Sequence, residues 1–440
     1  MTAETVPEAQ RPQAAHAPMS VFGAAALVAG SMIGSGVYLL PASLGAVGSI
    51  SILGWIAATA AALVIAAAFA RLASVAPEAR GVAAYVEAGL GRFFGVQATV
   101  AYWASCWVGV TAIAVAAAGY AGYLIPALAP AGSRLATTLA VIWLAVAACW
   151  LGPKSVGRIE GLTLFVGLAP VLFVAMAGWL WFSPSVFVQS WNPAGASLVG
   201  ATRASALTAF WAFLGLECAA AVAGVVRDPA RNVPRATLAG VGIAAVLYVA
   251  ACAVLMGLMP ASALARSSAP FADAMRATVG LSGAGLIALC GFLRAAGCTT
   301  GWVLAASETS RESADRNMFL GFFRTRPGAR APTASLMVTG VLMSLITVLT
   351  ASPTLGAQFT VIANVTVILS LTLDLLAGIS LLRLRNRLTP HGPRLAATLT
   401  ALAAIASAGA LIASASLQDM AWSAVAPLIA TALYFALRRR

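Results

Sequence analysis

Charged side chains are scarce in this chain. Asp, Glu, Lys and Arg make up only 9% of its 440 residues, where soluble domains carry about a quarter. That shortage excludes a soluble globule. With 61% hydrophobic residues and a mean hydropathy of +0.93, it also excludes a disordered or fibrous chain. Histidine is rarer still: His16 and His391 fall in a tail and a loop, leaving no histidine at membrane depth to relay protons or ligate a metal. The six cysteines, Cys106, Cys149, Cys218, Cys252, Cys290 and Cys298, form no CxxC pair and all lie in apolar stretches. A disulfide framework and a zinc site are therefore not expected. No nucleotide phosphate-binding loop is present either, and no cofactor is expected.

What the chain has in abundance is long apolar runs. Bounded by Pro, Gly and charge, twelve spans are predicted near 21–44, 47–70, 95–126, 134–152, 159–182, 201–226, 236–259, 279–306, 333–350, 357–381, 395–414 and 419–437. The fold class is an all-α polytopic membrane protein. Residues 1–18 carry Glu4 and Glu8 and no apolar core of a signal peptide; they read as a disordered cytoplasmic tail before a single transmembrane domain over 19–440.

The balance of 26 basic against 13 acidic residues gives a net charge of +13, and location decides its meaning. If both termini are cytoplasmic, inside segments hold 21 basic residues and outside segments four (Arg134, Arg203, Arg266, Arg276), with Arg294 within a span. That asymmetry follows the positive-inside rule and argues against nucleic acid as a partner, because the cations are dispersed over loops and tails.

Two spans are poor helices. The first contains Gly30-Ser31-Met32-Ile33-Gly34-Ser35-Gly36, and each interior Gly costs about 1 kcal/mol relative to Ala. One reading is an unwound segment lining a cavity, whose free amides face an anion; the other is close helix packing through small residues. The sixth span carries Trp211-Ala212-Phe213-Leu214-Gly215-Leu216-Glu217. A carboxyl at membrane depth is a functional candidate by default, and burial favours its protonated form. Glu217 is thus read as a proton-responsive group, against the alternative of a permanently protonated carboxyl bonded to backbone. The two interruptions lie five spans apart. They predict a five-plus-five inverted repeat over about 21–182 and 201–381, with helices 11 and 12 (about 395–437) outside it and helices 1 and 6 discontinuous.

At these residues the chain resembles the basic amino acid/polyamine antiporters of the amino acid-polyamine-organocation superfamily, the bacterial arginine/agmatine antiporters in particular. The likeness runs from about residue 20 to the C-terminus. It is carried by GSMIGSGVYLLPA in span one, YWASCWVG in span three, WAFLGLE in span six and GVVRDPARNVPRAT after it; FSPSVFVQSWNP and WAFLGLE look closer to the putrescine/ornithine branch.

The resemblance implies secondary exchange of amino acids or their decarboxylation products by alternating access in a bacterial inner membrane. It also implies roles. Ser31, Gly34, Ser35 and Gly36 would hold a substrate α-carboxylate, and carbonyls around Trp211 and Leu214 its α-amino group. Trp211 would stack on the substrate's aliphatic part as a middle gate. Tyr102 would be a gate element bonded to Glu217, and Trp302 would face the cationic end. Ser105, Cys106, Val110 and Asn364 complete the implied substrate-binding set. The partners are a small amino acid or amine and the lipid bilayer; a homodimer is compatible with this reading.

Departures bear on selectivity. Ser31 and Val110 stand where the arginine antiporters have asparagines, and Ser105 replaces an alanine. A guanidinium left unpaired beside Val110 loses about 1 to 3 kcal/mol, so a simpler ammonium, a shorter cation or a neutral amino acid fits better than arginine. Packing competes with binding as the role of Trp302 and Asn364. Asp374 reads as structural, Arg294 as bonding backbone carbonyls, snorkelling or replacing a coupling cation, and Pro229 and Pro234 as helix punctuation.

Three function classes compete. An enzyme would need a second acid, base or nucleophile beside Glu217, a channel a ring of pore-lining charges; neither is visible. A uniporter or proton-coupled symporter for neutral or other cationic amino acids is the alternative to exchange, and a non-transporting receptor scaffold the weakest.

Overall fold

The computed structural model describes residues 20–79, 81–216, 229–324, 332–352, 354–388 and 391–438. Among the described residues every regular element is helical. The α-helices are α1 (Val21–Met32), α2 (Leu40–Gly45), α3 (Ser51–Val75), α4 (Val82–Leu90), α5 (Arg92–Leu124), α6 (Ala131–Cys149), α7 (Pro153–Ala177), α8 (Pro184–Gln189), α9 (Leu198–Phe210), α10 (Pro229–Leu258), α11 (Ala261–Arg266), α12 (Pro270–Asp315), α13 (Thr333–Leu349), α14 (Leu355–Leu384), α15 (His391–Ile412) and α16 (Leu417–Arg438). Among the described residues nine helices are long and apolar enough to cross a bilayer, and the bent pair α1–α2 makes a tenth. α13, at 17 residues, is shorter. Span six is described only through Leu216, so Glu217 and the first residues of the RDPARNVP loop lie outside the described residues, as does the tail over 1–18.

Local sequence sets the helix ends. Pro153, Pro184 and Pro270 occupy first turns, where a missing N–H costs nothing. Ser20, Ser197 and Thr354 accept from backbone amides three residues on, capping α1, α9 and α14. Two boundaries differ from expectation. Pro234 does not start span seven: α10 begins at Pro229 and carries Pro234 inside its second turn. Span eight continues to Asp315 because Arg311 pairs with Glu308 (2.5 Å) and Asp315 (3.2 Å) along the helix; i,i+3 and i,i+4 pairs extend a helix where hydropathy has already fallen. At its other end Gly280, with φ +71°, breaks α12 from the preceding turns.

α5, α12 and α14 form the centre: α12 packs on α5 and α7, and α14 on α5 and α15, while α1 lies on α10 and α3 on α9. Small residues let these helices approach. A Cβ at Gly54 of α3 would lie 2.6 Å from the Ala206 amide of α9, and one at Gly89 of α4 2.6 Å from the Ser380 Cβ of α14. Gly54→Val should therefore destabilise the protein by about 1 to 3 kcal/mol through overpacking. Gly242→Val on α10, where a Cβ meets nothing within 4 Å, should leave the thermal unfolding midpoint in detergent unchanged; equal midpoints for both variants would show that the α3–α9 crossing is not tight.

Candidate functional site

Span one leaves the helix where the glycines and serines predict. α1 ends at Met32, Ile33 has ψ +65°, Gly34 is extended, and the chain re-enters helix through a 3-10 turn over Ser35–Tyr38. The two halves bend by 55°. Span six breaks opposite it: α9 ends at Phe210, a 3-10 turn covers Trp211–Phe213, Leu214 is extended and Gly215 takes φ +99°, a left-handed conformation open chiefly to glycine. The two breaks touch, with Ser31 Oγ 2.8 Å from the Val28 carbonyl and 3.4 Å from that of Gly215.

Between them lies a cavity that brings most of the implied residues together. Ser31, Gly34 and Gly36 contribute from the first break, Trp211 and Leu214 from the second, and Trp302 from α12. From α5 come Tyr102, Ser105, Cys106 and Val110, spaced three and four apart so that they share one helix face. The resemblance did not single out Gly109, Ile113, Cys298, Thr366 or Ser370, which also line it. Most were legible in periodicity: Gly109 and Ile113 continue the α5 stripe, and Cys298 lies four residues before Trp302. Glu217 is outside the described residues, and nothing is shown of the Ser35 side chain.

Asn364 does not line the cavity. Its carboxamide accepts from Thr208 Oγ1 (3.1 Å) and donates to the buried carboxylate of Asp419 (3.2 Å), tying α9 to α16 through α14. The α14 residues that reach the cavity are Thr366 and Ser370, one turn apart; Asn364 is two residues earlier, about 200° around the helix from Thr366.

Trp211 is the centrepiece. It is 6% exposed, its ring meets Phe359 edge-on at 5.5 Å, and a Cβ at Gly36 would overlap its indole nitrogen. Gly109 faces the other rim of the ring, 3.3 Å from where its Cβ would stand. The remaining space is about 50 Å³, small beside the ~300 Å³ or more of a typical ligand pocket. Trp211 thus fills much of the place between the breaks. Among the described residues none of the lining side chains is charged.

Two charged groups lie just outside. Arg294, 2% exposed on α12, donates from Nη2 to the Ile33 carbonyl at 3.1 Å, placing a cation at the C-terminal end of α1. Its Nε and Nη1 have no partner among the described residues, and Gly167 of α7 makes room for its stem. Of the readings open from sequence, carbonyl bonding is the one observed. Glu160 went unrecognised because it opens the predicted fifth span. α7 starts earlier, at Pro153, so Glu160 sits two turns inside it with its carboxyl against Gly301, beside Trp302. Among the described residues no three His, Cys, Asp or Glu side chains converge as metal ligands.

The glycines of the first break have different jobs. A Cβ at Gly34 meets only ordinary contacts, Cys298 Sγ at 3.5 Å and the Met32 carbonyl at 3.7 Å, whereas one at Gly36 displaces Trp211. Gly36→Ala should lower substrate exchange in proteoliposomes at least tenfold, while Gly34→Ala keeps half or more. Indistinguishable variants would mean that the Trp211 ring is not seated on Gly36.

Comparison with known proteins shows the family. A family model described as Amino acid permease matches residues 19–435. The putrescine transporter PotE of Escherichia coli (strain K12) is 33% identical over 351 residues, 80% of each chain. PotE of Haemophilus influenzae is 33% identical over 336 residues, 76% of each. The cadaverine/lysine antiporter of E. coli (strain K12) is 33% identical over 337 residues, 75% of this chain and 74% of that one. With paired helix breaks enclosing an aromatic cavity and a family match over nearly its whole length, the chain belongs to the amino acid permease family.

Proposed function

We propose that this multi-pass membrane protein is a secondary antiporter, exchanging a linear diamine for a cationic amino acid by alternating access. The observation that carries the reading is the cavity between the two helix breaks, walled by Tyr102, Trp211 and Trp302 and with no charged side chain among its described lining residues. The second half of span one would present its amide end to the amino acid's carboxylate. An ammonium over the Trp302 or Tyr102 ring gains about 0.5 to 2 kcal/mol, and Val110 accommodates a methylene chain. The names of its relatives, a putrescine transporter and a cadaverine/lysine antiporter, favour linear ammonium ligands over a guanidinium.

The inverted repeat belongs to this proposal, and helix contacts support it. Moving every span number by five exchanges the pair α1–α10 (one with seven) for α9–α3 (six with two). It likewise exchanges α12–α7 (eight with five) for α5–α14 (three with ten), and α6–α12 for α13–α5. All six contacts are present. The distribution of arginines supports cytoplasmic termini, and the bacterial relatives support an inner membrane.

Proteoliposomes test the activity. Uptake of labelled putrescine, cadaverine or lysine should rise at least tenfold when an unlabelled diamine or cationic amino acid is inside; uptake that ignores internal substrate would make the protein a uniporter or symporter. In the same assay Glu217→Gln should flatten the pH profile between about pH 5 and 7, and an unchanged profile would remove Glu217 as the proton-responsive group. Val110→Asn should favour arginine over a competing diamine by about 1 kcal/mol, the scale of one added hydrogen bond. Tight arginine binding by the unmodified protein, indifferent to this change, would place guanidinium recognition elsewhere.

A further inference from the structure

The basic edge of the bundle holds an unassigned site. Arg92, the first residue of α5, and Arg438, at the end of α16, line one cavity of about 350 Å³ together with Tyr434. None of the described residues lining it is acidic. Among the described residues neither arginine forms an ion pair; the pairs there join Arg311 to Glu308 and Asp315, and Arg387 to Glu78. Arg92 spends one donor, Nη2, on the Asn317 carbonyl at 3.1 Å. Two guanidinium groups facing one space without a carboxylate present donors suited to a phosphate. The sequence adds Arg439 and Arg440 directly after Arg438.

A second cavity, of about 180 Å³, lies further along the same two helices. It is lined by Trp103 and Trp107 of α5, Ile346 of α13, Ile362 of α14, and Trp422 and Ile429 of α16. Its lining is almost wholly apolar. Arg92, Val96, Val100, Trp103 and Trp107 recur at four, four, three and four residues, so both cavities lie along one face of α5. From Arg92 to Trp103 the helix rises about 16 Å, close to the roughly 15 Å of hydrocarbon in one leaflet. Between the two cavities Gln97 Nε2 donates to Thr431 Oγ1 at 2.8 Å, fixing α16 against α5.

We propose that this seam binds one anionic phospholipid, its phosphate between Arg92 and Arg438 and an acyl chain running along α5 into the cleft between α13 and α16. Zwitterionic lipids carry a compensating ammonium into a site with no acid to receive it; an anionic headgroup does not. Basic pockets between transmembrane helices recognise such headgroups by this chemistry. Neither arginine lines the cavity around Trp211, and the proposal does not depend on the exchange activity.

The test uses the purified full-length protein in detergent. Phosphatidylglycerol and phosphatidylcholine are offered at equal concentration, and bound lipid is counted by native mass spectrometry. The unmodified protein should retain phosphatidylglycerol about tenfold over phosphatidylcholine, and Arg92→Gln/Arg438→Gln should lose most of that preference. Arg92→Lys/Arg438→Lys should keep at least half of it, and Arg134→Gln/Arg266→Gln, away from the seam, should keep all of it. Retention by the double Gln variant equal to the unmodified protein would overturn the proposal. So would displacement of the lipid by millimolar inorganic phosphate, which would make the arginines a free-anion site. Should the Gln pair fail to fold, as judged by its unfolding midpoint, the phosphate competition on the unmodified protein still decides, with loss of preference in the Lys pair pointing against the site.

Discussion

Unpaired backbone amides and carbonyls cost several kcal/mol each in hydrocarbon, so a chain that leaves the helix at membrane depth must face those groups into protein. In this bundle each of two breaks is the other's protein surroundings. The Gly215 carbonyl lies within reach of the Ser31 hydroxyl, the α1 end carbonyl at Ile33 is met by Arg294, and Gly36 gives its missing side chain to the Trp211 ring. The rest of the architecture keeps these partners in place: α5 and α14 wall the space from one side, and α12, held by α7, from the other.

The α7–α12 seam shows how tightly that support is built. Gly167 receives the Arg294 stem, Gly297 the Thr163 hydroxyl and Gly301 the Glu160 carboxyl, so polar and glycine residues alternate across an antiparallel crossing. Small residues let helix backbones approach where lipid supplies no hydrophobic drive for association. The guanidinium of Arg294, buried at the helix break with two donors unpartnered among the described residues, is met by the negative end of α1.

Much of this was legible in sequence, for identifiable reasons. Apolar runs fixed the spans because a bilayer demands about 20 residues of them, and clustered Gly and Ser announced the first break because no stable helix interior needs them together. The second break falls within the Trp211–Glu217 segment that its carboxyl singled out, and Tyr102, Cys106 and Val110, which the resemblance implied, share one face of α5. What failed were choices requiring phase within a span. Asn364 was chosen for its polarity, but Thr366 and Ser370 hold the phase that faces the cavity, while the Asn364 amide is spent on Thr208 and Asp419. Glu160 escaped notice because hydropathy begins span five later than Pro153 begins its helix. Neither the filling of the cavity by Trp211 nor the position of Arg294 under Ile33 has a sequence signal, since each depends on which residue of another helix stands opposite.

Under the proposed exchange, the cavity takes up a cation and lets it go twice in every cycle. A carboxylate facing the ammonium inside a dry cavity would form a buried ion pair, and breaking such a pair costs about 3 to 5 kcal/mol; release would be slow on both faces. Aromatic rings attract the same cation by about 0.5 to 2 kcal/mol, which discriminates against neutral ligands without trapping the charged one. The described lining residues include three large aromatics and no acid, the arrangement that suits turnover over retention. Selectivity then falls to shape and to hydrogen-bond donors left unpaired: Val110 has nothing to offer a guanidinium, whose planar fork of donors is costly to leave unsatisfied, whereas a primary ammonium at the end of a methylene chain can turn its three donors toward the exposed carbonyls of the two breaks.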